Sequence, residues 1–222
     1  GLGDGQGPWD PDSHAAQMRD DFKWDRLWRG GHLATLDPDL EGYGVIRDGA
    51  LAARKGRIVW IGPESELPGS PADCARDVVD LKGRWVTPGL IDVHSHLGVY
   101  ASPNVKAHSD GNEATAPVTA QVWAEHSIWP QDPGFSRALA GGVTAMHILP
   151  GSANLIGGRG VTVKNVPSLS YQGMKFPGAP HSLKMACGEN PKRVYGDHRN
   201  SAPSTRMGNL RGQRMAFAQA QA

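Results

Sequence analysis

Two histidines one residue apart, His94 and His96 in the run V-T-P-G-L-I-D-V-H-S-H-L over 86–97, have the type and spacing to do chemistry. In an extended strand, residues two apart point the same way, so Leu90, Asp92, His94 and His96 are expected on one face. Two imidazoles at the end of a buried strand can grip one metal ion, because imidazole is the commonest protein ligand for zinc and related divalent ions. A bare His-x-His is more often a pair of strand-end histidines with no ion. Here the pair follows a Pro-Gly turn and an apolar strand, and that context favours the ligand reading. Asp92 is read either as a structural acid or as a partner that fixes an imidazole's orientation.

The elements that must position this pair follow from composition and punctuation. The chain has 222 residues, 29 of them glycine and 17 proline, which predicts many tight turns and long loops rather than a helical bundle. A net charge of +1 gives no electrostatic case for binding nucleic acid or an anionic membrane. No apolar run approaches the ~18 residues of a membrane span. Two cysteines, Cys74 and Cys187, make no disulfide framework and have no CxxC partner. So few thiols fit the cytoplasm best, with a periplasmic or secreted location left open.

Residues 1–23 read as a flexible polar arm. Residues 24–86 read as a small antiparallel sheet or sandwich, with a hairpin turning at Lys55-Gly56 and a second turn at Lys82-Gly83. From residue 87 strands and helices alternate, which favours a parallel α/β layout. Expected elements are a strand over 90–94, a helix capped by Asp132 and Pro133 and stopped by Gly141-Gly142, and strands over 143–149, 161–166 and 183–186. The tail over 205–222 is helix-prone, with Met207, Leu210 and Phe217 on one face. His147, near the end of its strand, is either a satisfied core histidine or a substrate contact. The Gly-rich stretch 150–160 is expected to be a loop that could wrap a substrate with backbone N–H groups, with Asn154 and Arg159 as its polar contacts. It lacks the Gly-Lys-Ser/Thr ending of a nucleotide-binding loop.

The run G-R-W-V-T-P-G-L-I-D-V-H-S-H over 83–96, after D-G-A-L-A-A-R-K-G-R-I-V-W-I-G-P, resembles the amidohydrolase superfamily of metal-dependent hydrolases. Residues 24–96 are similar to imidazolonepropionase. The segments 102–113, 148–160 and 184–196 are similar to a less characterised amidohydrolase group. The resemblance implies an α/β fold: a (β/α)8 TIM-type barrel preceded by a small β-sandwich, with catalytic residues at the C-terminal ends of the strands. It implies that His94 and His96 are metal ligands and that either Lys184, once carboxylated, or Glu189 bridges a second ion. Lys184 sits inside an apolar strand, where a lysine needs a reason. Glu189 follows Gly188 at that strand's expected C-terminal end. Zinc is the first candidate metal, with iron, manganese or nickel also suited to the donors.

A complete barrel takes roughly 250 residues, and about 130 follow Leu90. The resemblance therefore places the later metal histidines and the general-base Asp downstream, and makes 87–222 the N-terminal part of a barrel. The expected function is metal-dependent hydrolysis of an amide or cyclic-amide C–N bond in a small molecule, incomplete in this chain alone. The alternatives are imidazolonepropionase itself and an inactive fragment that acts by pairing with a complementing chain or a second copy.

Overall fold

The computed structural model describes residues 22–222. All of the expected arm except Phe22 and Lys23 lies outside the described residues. The chain divides into two compact units between Pro88 and Gly89.

The first unit is one sheet of five strands: β1 (Trp24–Ala34), β2 (Val45–Arg54), β3 (Arg57–Pro63), β4 (Ala75–Asp80) and β5 (Trp85–Val86). The order is β3-β2-β1-β4, and β5 also pairs with β1. The β2–β3 hairpin turns on Lys55 and Gly56, both at positive φ (50° and 74°). Such a turn matches the twist of the flanking strands, and glycine at its second position adopts it without a Cβ clash. The sheet is mixed where an antiparallel sheet or sandwich was expected. β4 and β5 run parallel to β1, and among the described residues no second sheet is present in this unit. The reason lies in the connection after β3. β3 is antiparallel to β2, which is antiparallel to β1, so β3 already runs with β1. The segment 64–74, with its short helix Pro71–Cys74, is a crossover, and it returns the chain to begin β4 in the same direction. Trp24, Leu27, Ala50, Ala52, Cys74 and Ala75 form the core, with Trp60 tilted against Trp24 at 5.6 Å between ring centroids.

The second unit carries the histidine pair. Its sheet has the order β6 (Leu90–Ser95), β7 (Val143–Ile148), β8 (Ile156–Lys164) and β9 (Ser182–Met185). β6 and β7 are parallel, as the alternation predicts. β8, however, is antiparallel to both β7 and β9, so the layout is mixed rather than wholly parallel. The stretch expected to be a loop up to Gly160 is strand from Ile156 onward. Glycine permits this locally. Gly158 adopts φ +119°, and a Cβ there would lie 2.4 Å from the Val122 carbonyl oxygen, so the backbone of residue 122 packs directly on the strand.

One face of this sheet is apolar and covered. Met146 and Ile148 of β7 and Val161 and Val163 of β8 are buried with Val99, Ala124, Ile128, Phe135 and Met174. Each fully buried side chain of this kind contributes about 1.5–3 kcal/mol. The helix Pro133–Ala140 supplies Phe135 to this core. The C-terminal helix Arg206–Gln221 is capped by Thr205, whose Oγ1 accepts from Gly208 N at 3.0 Å. Its expected apolar face is not buried. Met207, Leu210 and Phe217 are exposed, and the buried position is Asn209. Asn209 donates to the carbonyls of Cys187 and Gly188, and Gln213 donates to that of Ala186. Polar bonds to an irregular backbone segment, not apolar burial, set the rotation of this helix. No helix among the described residues is long and apolar enough to cross a membrane.

Asp132 ties the long connection after β6 to the sheet. It is 2% exposed, and its carboxylate accepts from Gly98 N (2.8 Å), Ser102 N (3.2 Å) and Gly134 N (2.9 Å). It is therefore both helix cap and loop anchor. Asp132→Ala should destabilise the protein by about 3 kcal/mol, because three backbone donors lose a charged acceptor. Asp132→Asn keeps an acceptor for Ser102 and Gly134 and should cost about half as much. Urea-unfolding midpoints of the two variants check the order.

Candidate functional site

The strand register explains which side chains of β6 reach the uncovered face. Asp92 pairs with Met146 and Ser95 with Ile148, so three residues of β6 match two of β7. This irregularity breaks the period-two alternation. Ser95 then falls on the buried face, with its hydroxyl 3.8 Å from the Met146 sulfur, and its neighbours His94 and His96 turn to the other. Asp92 does not orient an imidazole. Its Oδ1 accepts the His94 backbone N–H at 3.1 Å.

The two imidazoles lie edge-on, 5.2 Å between centroids and at 81°. His96 Nδ1 is 2.8 Å from the Leu149 carbonyl oxygen. A carbonyl only accepts, so Nδ1 carries a proton, and in the neutral ring the lone pair is on Nε2. Tyr100 packs edge-on against the same ring at 5.7 Å, and its hydroxyl accepts from Asn112 Nδ2. His94 Nε2 lies 3.2 Å from Lys184 Nζ. This contact joins opposite edges of the sheet, since β6 and β9 are separated by β7 and β8. Three interstrand steps span about 14 Å in a flat sheet, more than the two side chains comfortably bridge, so the sheet is curled with this face concave. Burial pushes the Lys184 ammonium below the usual lysine range.

Of the expected metal ligands, His94, His96 and Lys184 thus come together. Glu189 begins the short helix Glu189–Lys192 and is exposed. Among the described residues, no group of three or more His, Cys, Asp or Glu side chains is placed to hold a metal ion.

His147 shares the concave face with Lys184. Its Nδ1 lies 2.9 Å from Thr162 Oγ1 and its Nε2 2.6 Å from Ser182 Oγ. Burial lowers its pKa from the ordinary 6.5. Asn154 is 1% exposed and fully engaged. Its Nδ2 donates to the Glu113 carbonyl (2.8 Å) and Thr119 Oγ1 (2.7 Å), and its Oδ1 accepts from Tyr195 at 2.7 Å. Arg159 pairs with Leu183, while Gly160 pairs with Ser182, so Arg159 faces away from the concave side. Its guanidinium lies 3.2 Å from the Trp123 ring centroid and 3.8 Å from Glu125 Oε2. The buried Glu125 also accepts from Lys175 Nζ at 3.0 Å.

Sequence reasoning did not find Thr162, Ser182 or the Leu149 carbonyl. Ser182 was within reach, since it stands two residues before Lys184 and so shares its face. The other two are cross-strand partners that no local pattern signals.

No protein-family model matches the chain. The amidohydrolase tasK of Hapsidospora irregularis is 36% identical over 181 residues, covering 78% of this chain and 18% of its own length. The imidazolonepropionase of Acidiphilium cryptum is 55% identical over 76 residues, covering 34% of this chain and 18% of its own length. A solved amidohydrolase from Thermotoga maritima superposes with a TM-score of 0.75 at 38% identity, covering 89% of this chain and 48% of that one. The chain thus spans less than a fifth of these curated relatives and about half of the solved structure.

The depressed pKa of His147 carries a sign. An unfolded chain protonates this imidazole near the ordinary 6.5, before the folded one does. Its contribution to stability is therefore complete above that value and is lost as pH falls through the lower, folded pKa. Denaturation midpoints of the wild type should fall as the pH drops below 6.5 more steeply than those of His147→Gln.

Proposed function

We propose, from the premise that the chain belongs to the amidohydrolase superfamily, that it contributes the first strands of a (β/α)8-type barrel and part of a metal-dependent hydrolase site for C–N bonds. The observation that carries this reading is the convergence of His94 and His96 on the concave face, with the Nε2 of His96 left free by the Leu149 carbonyl. The parallel β6–β7 pair joined through the helix Pro133–Ala140 supports the barrel unit. Leu90, Ile91 and Val93 are 57%, 67% and 74% exposed on edge strand β6. Such an edge favours pairing with further strands, in a longer chain, a second copy or a complementing chain.

The donors fit a divalent ion in part. His94 and His96 would hold it. Lys184 would join them through an oxygen only once its amine is carboxylated, and Glu189 would need its helix start to move toward the pair. Catalytic zinc takes three protein ligands, so two imidazoles alone would hold it weakly. Iron, manganese or nickel would suit the same nitrogens. When bound, such an ion polarises an amide carbonyl and makes water acidic enough to attack near neutral pH. His96 is held by the Leu149 carbonyl and the edge of Tyr100, which fixes the direction of its lone pair. Lys184 and His147 would face the substrate from the same concave wall, while Arg159 and Asn154 would hold the surrounding loops. No Asp of this chain is assigned the general-base role.

The second reading, imidazolonepropionase, is favoured by the high identity to those enzymes over about a third of the chain. Loss of imidazolone propionate absorbance on addition of the protein separates it from hydrolysis of other amides.

Metal content after dialysis tests the site. Bound zinc should fall at least tenfold in His94→Ala and in His96→Ala, with folding intact by circular dichroism. Bicarbonate should strengthen binding in the wild type and have no effect in Lys184→Ala, whereas Glu189→Gln should bind like the wild type. Zinc retained by both histidine variants would remove the basis of the proposal.

A further inference from the structure

Ser182, His147 and Thr162 form a chain of hydrogen bonds that the proposed metal site does not use. Each stands on a strand of the same sheet, on the concave face, so its backbone is fixed by ladder bonds on β9, β7 and β8 respectively. The Ser182 Oγ to His147 Nε2 distance of 2.6 Å is that of a nucleophile and its base. On the far side of the ring, Nδ1 is 2.9 Å from Thr162 Oγ1. If the threonine oxygen accepts from Nδ1–H, Nε2 holds the lone pair and can take the serine proton. Burial, which disfavours the imidazolium, keeps His147 in the neutral form this requires.

The backbone of β8 packs closely against the pair. A Cβ at position 160 would lie 2.6 Å from Ser182 Oγ and 3.0 Å from His147 Nε2. Only glycine at that position leaves both atoms undisturbed. The orienting group is a neutral hydroxyl rather than a carboxylate, so among the described residues no ion partner offsets the positive charge that develops on His147 during attack. That limits the reaction to acyl donors with good leaving groups.

We propose that Ser182 is a nucleophile, activated by His147 and oriented through Thr162, that accepts an acyl group from activated esters. In the step, Ser182 Oγ bonds to the acyl carbonyl carbon while its proton passes to His147 Nε2. The bond to the ester's leaving oxygen breaks, and the leaving group takes the proton from His147. Water then attacks the acyl-serine, with His147 accepting the water's proton and returning it to Ser182 Oγ. The products are a carboxylic acid and an alcohol or phenol. No metal enters the step, so the inference does not depend on metal binding by His94 and His96, although His147 also stands on the wall that would face the C–N substrate.

The probe is p-nitrophenyl acetate, given to the whole chain after dialysis against a chelator and with metal content measured in parallel. We expect a burst of p-nitrophenolate and a single acetyl group, mapped by peptide mass spectrometry to Ser182. The adduct should disappear in Ser182→Ala, and its rate of formation should drop at least tenfold in His147→Gln and in Gly160→Ala. Circular dichroism melts establish that each variant is folded. Acetylation mapping to Lys184 or any other residue, an adduct that persists in Ser182→Ala, or no adduct on folded wild-type protein would each overturn the proposal. Loss of zinc binding in the histidine variants of β6 leaves this result unchanged, so the two ideas fail separately.

Discussion

Position 160 has no side chain, and the concave face depends on that. β8 runs between β7, which carries His147, and β9, which carries Ser182 and Lys184. A Cβ on this residue would enter the space already filled by Ser182 Oγ, the Leu149 side chain and His147 Nε2. With glycine there, side chains from β7 and β9 meet over the top of β8. The same curl of the sheet lets Lys184 reach His94 from the opposite edge. Close packing makes such a position intolerant of added volume, so one missing methyl governs the spacing of several polar groups.

Around this face the irregular connections are held by buried polar side chains rather than by a large apolar core. Asp132 gathers three backbone N–H groups from 98–134. Asn154 and Tyr195 link the 113–119 segment to the chain near 195, with the Tyr195 hydroxyl also 2.7 Å from the Ala116 carbonyl. Asn165 donates to the carbonyls of Phe135 and Val143, joining the end of β8 to the helix and strand that precede it. Each buried polar group is costly if left unpaired, so these bonds fix loop positions tightly. Asn154, expected as a substrate contact in a glycine-rich stretch, spends its amide on this scaffold. Arg159 stacks on Trp123 and faces Glu125.

Much of the fold was legible because its signals are local. Lys55-Gly56 closes the β2–β3 hairpin, Asp132-Pro133 starts a helix, and Val143–Ile148 is a strand, each through signals that neighbouring residues carry. Strand direction was not legible. Whether 64–74 makes a hairpin or a crossover, and whether β8 enters parallel or antiparallel, depends on pairing energies between segments far apart in sequence. The strand from Ile156 to Gly160 was hidden because glycine reads as loop, although here it permits close backbone approach. The C-terminal helix misled for the opposite reason. Its apolar stripe is real, but Asn209 and Gln213 find carbonyl partners at 186–188 and turn the stripe outward.

By itself, the sequence determined the His94–His96 pair, its strand, and the likeness of the surrounding run to amidohydrolases. Residue type and a two-residue period suffice for that. Tertiary structure alone decided that Lys184 meets His94, that Leu149 sets the tautomer of His96, and that His147 lies between Thr162 and Ser182. It also decided that Glu189 stands exposed at the start of a short helix. These are contacts between strands whose register, bulges and curl are set by the packing of the opposite face. A one-residue slip in that register would turn every one of these side chains to the other side.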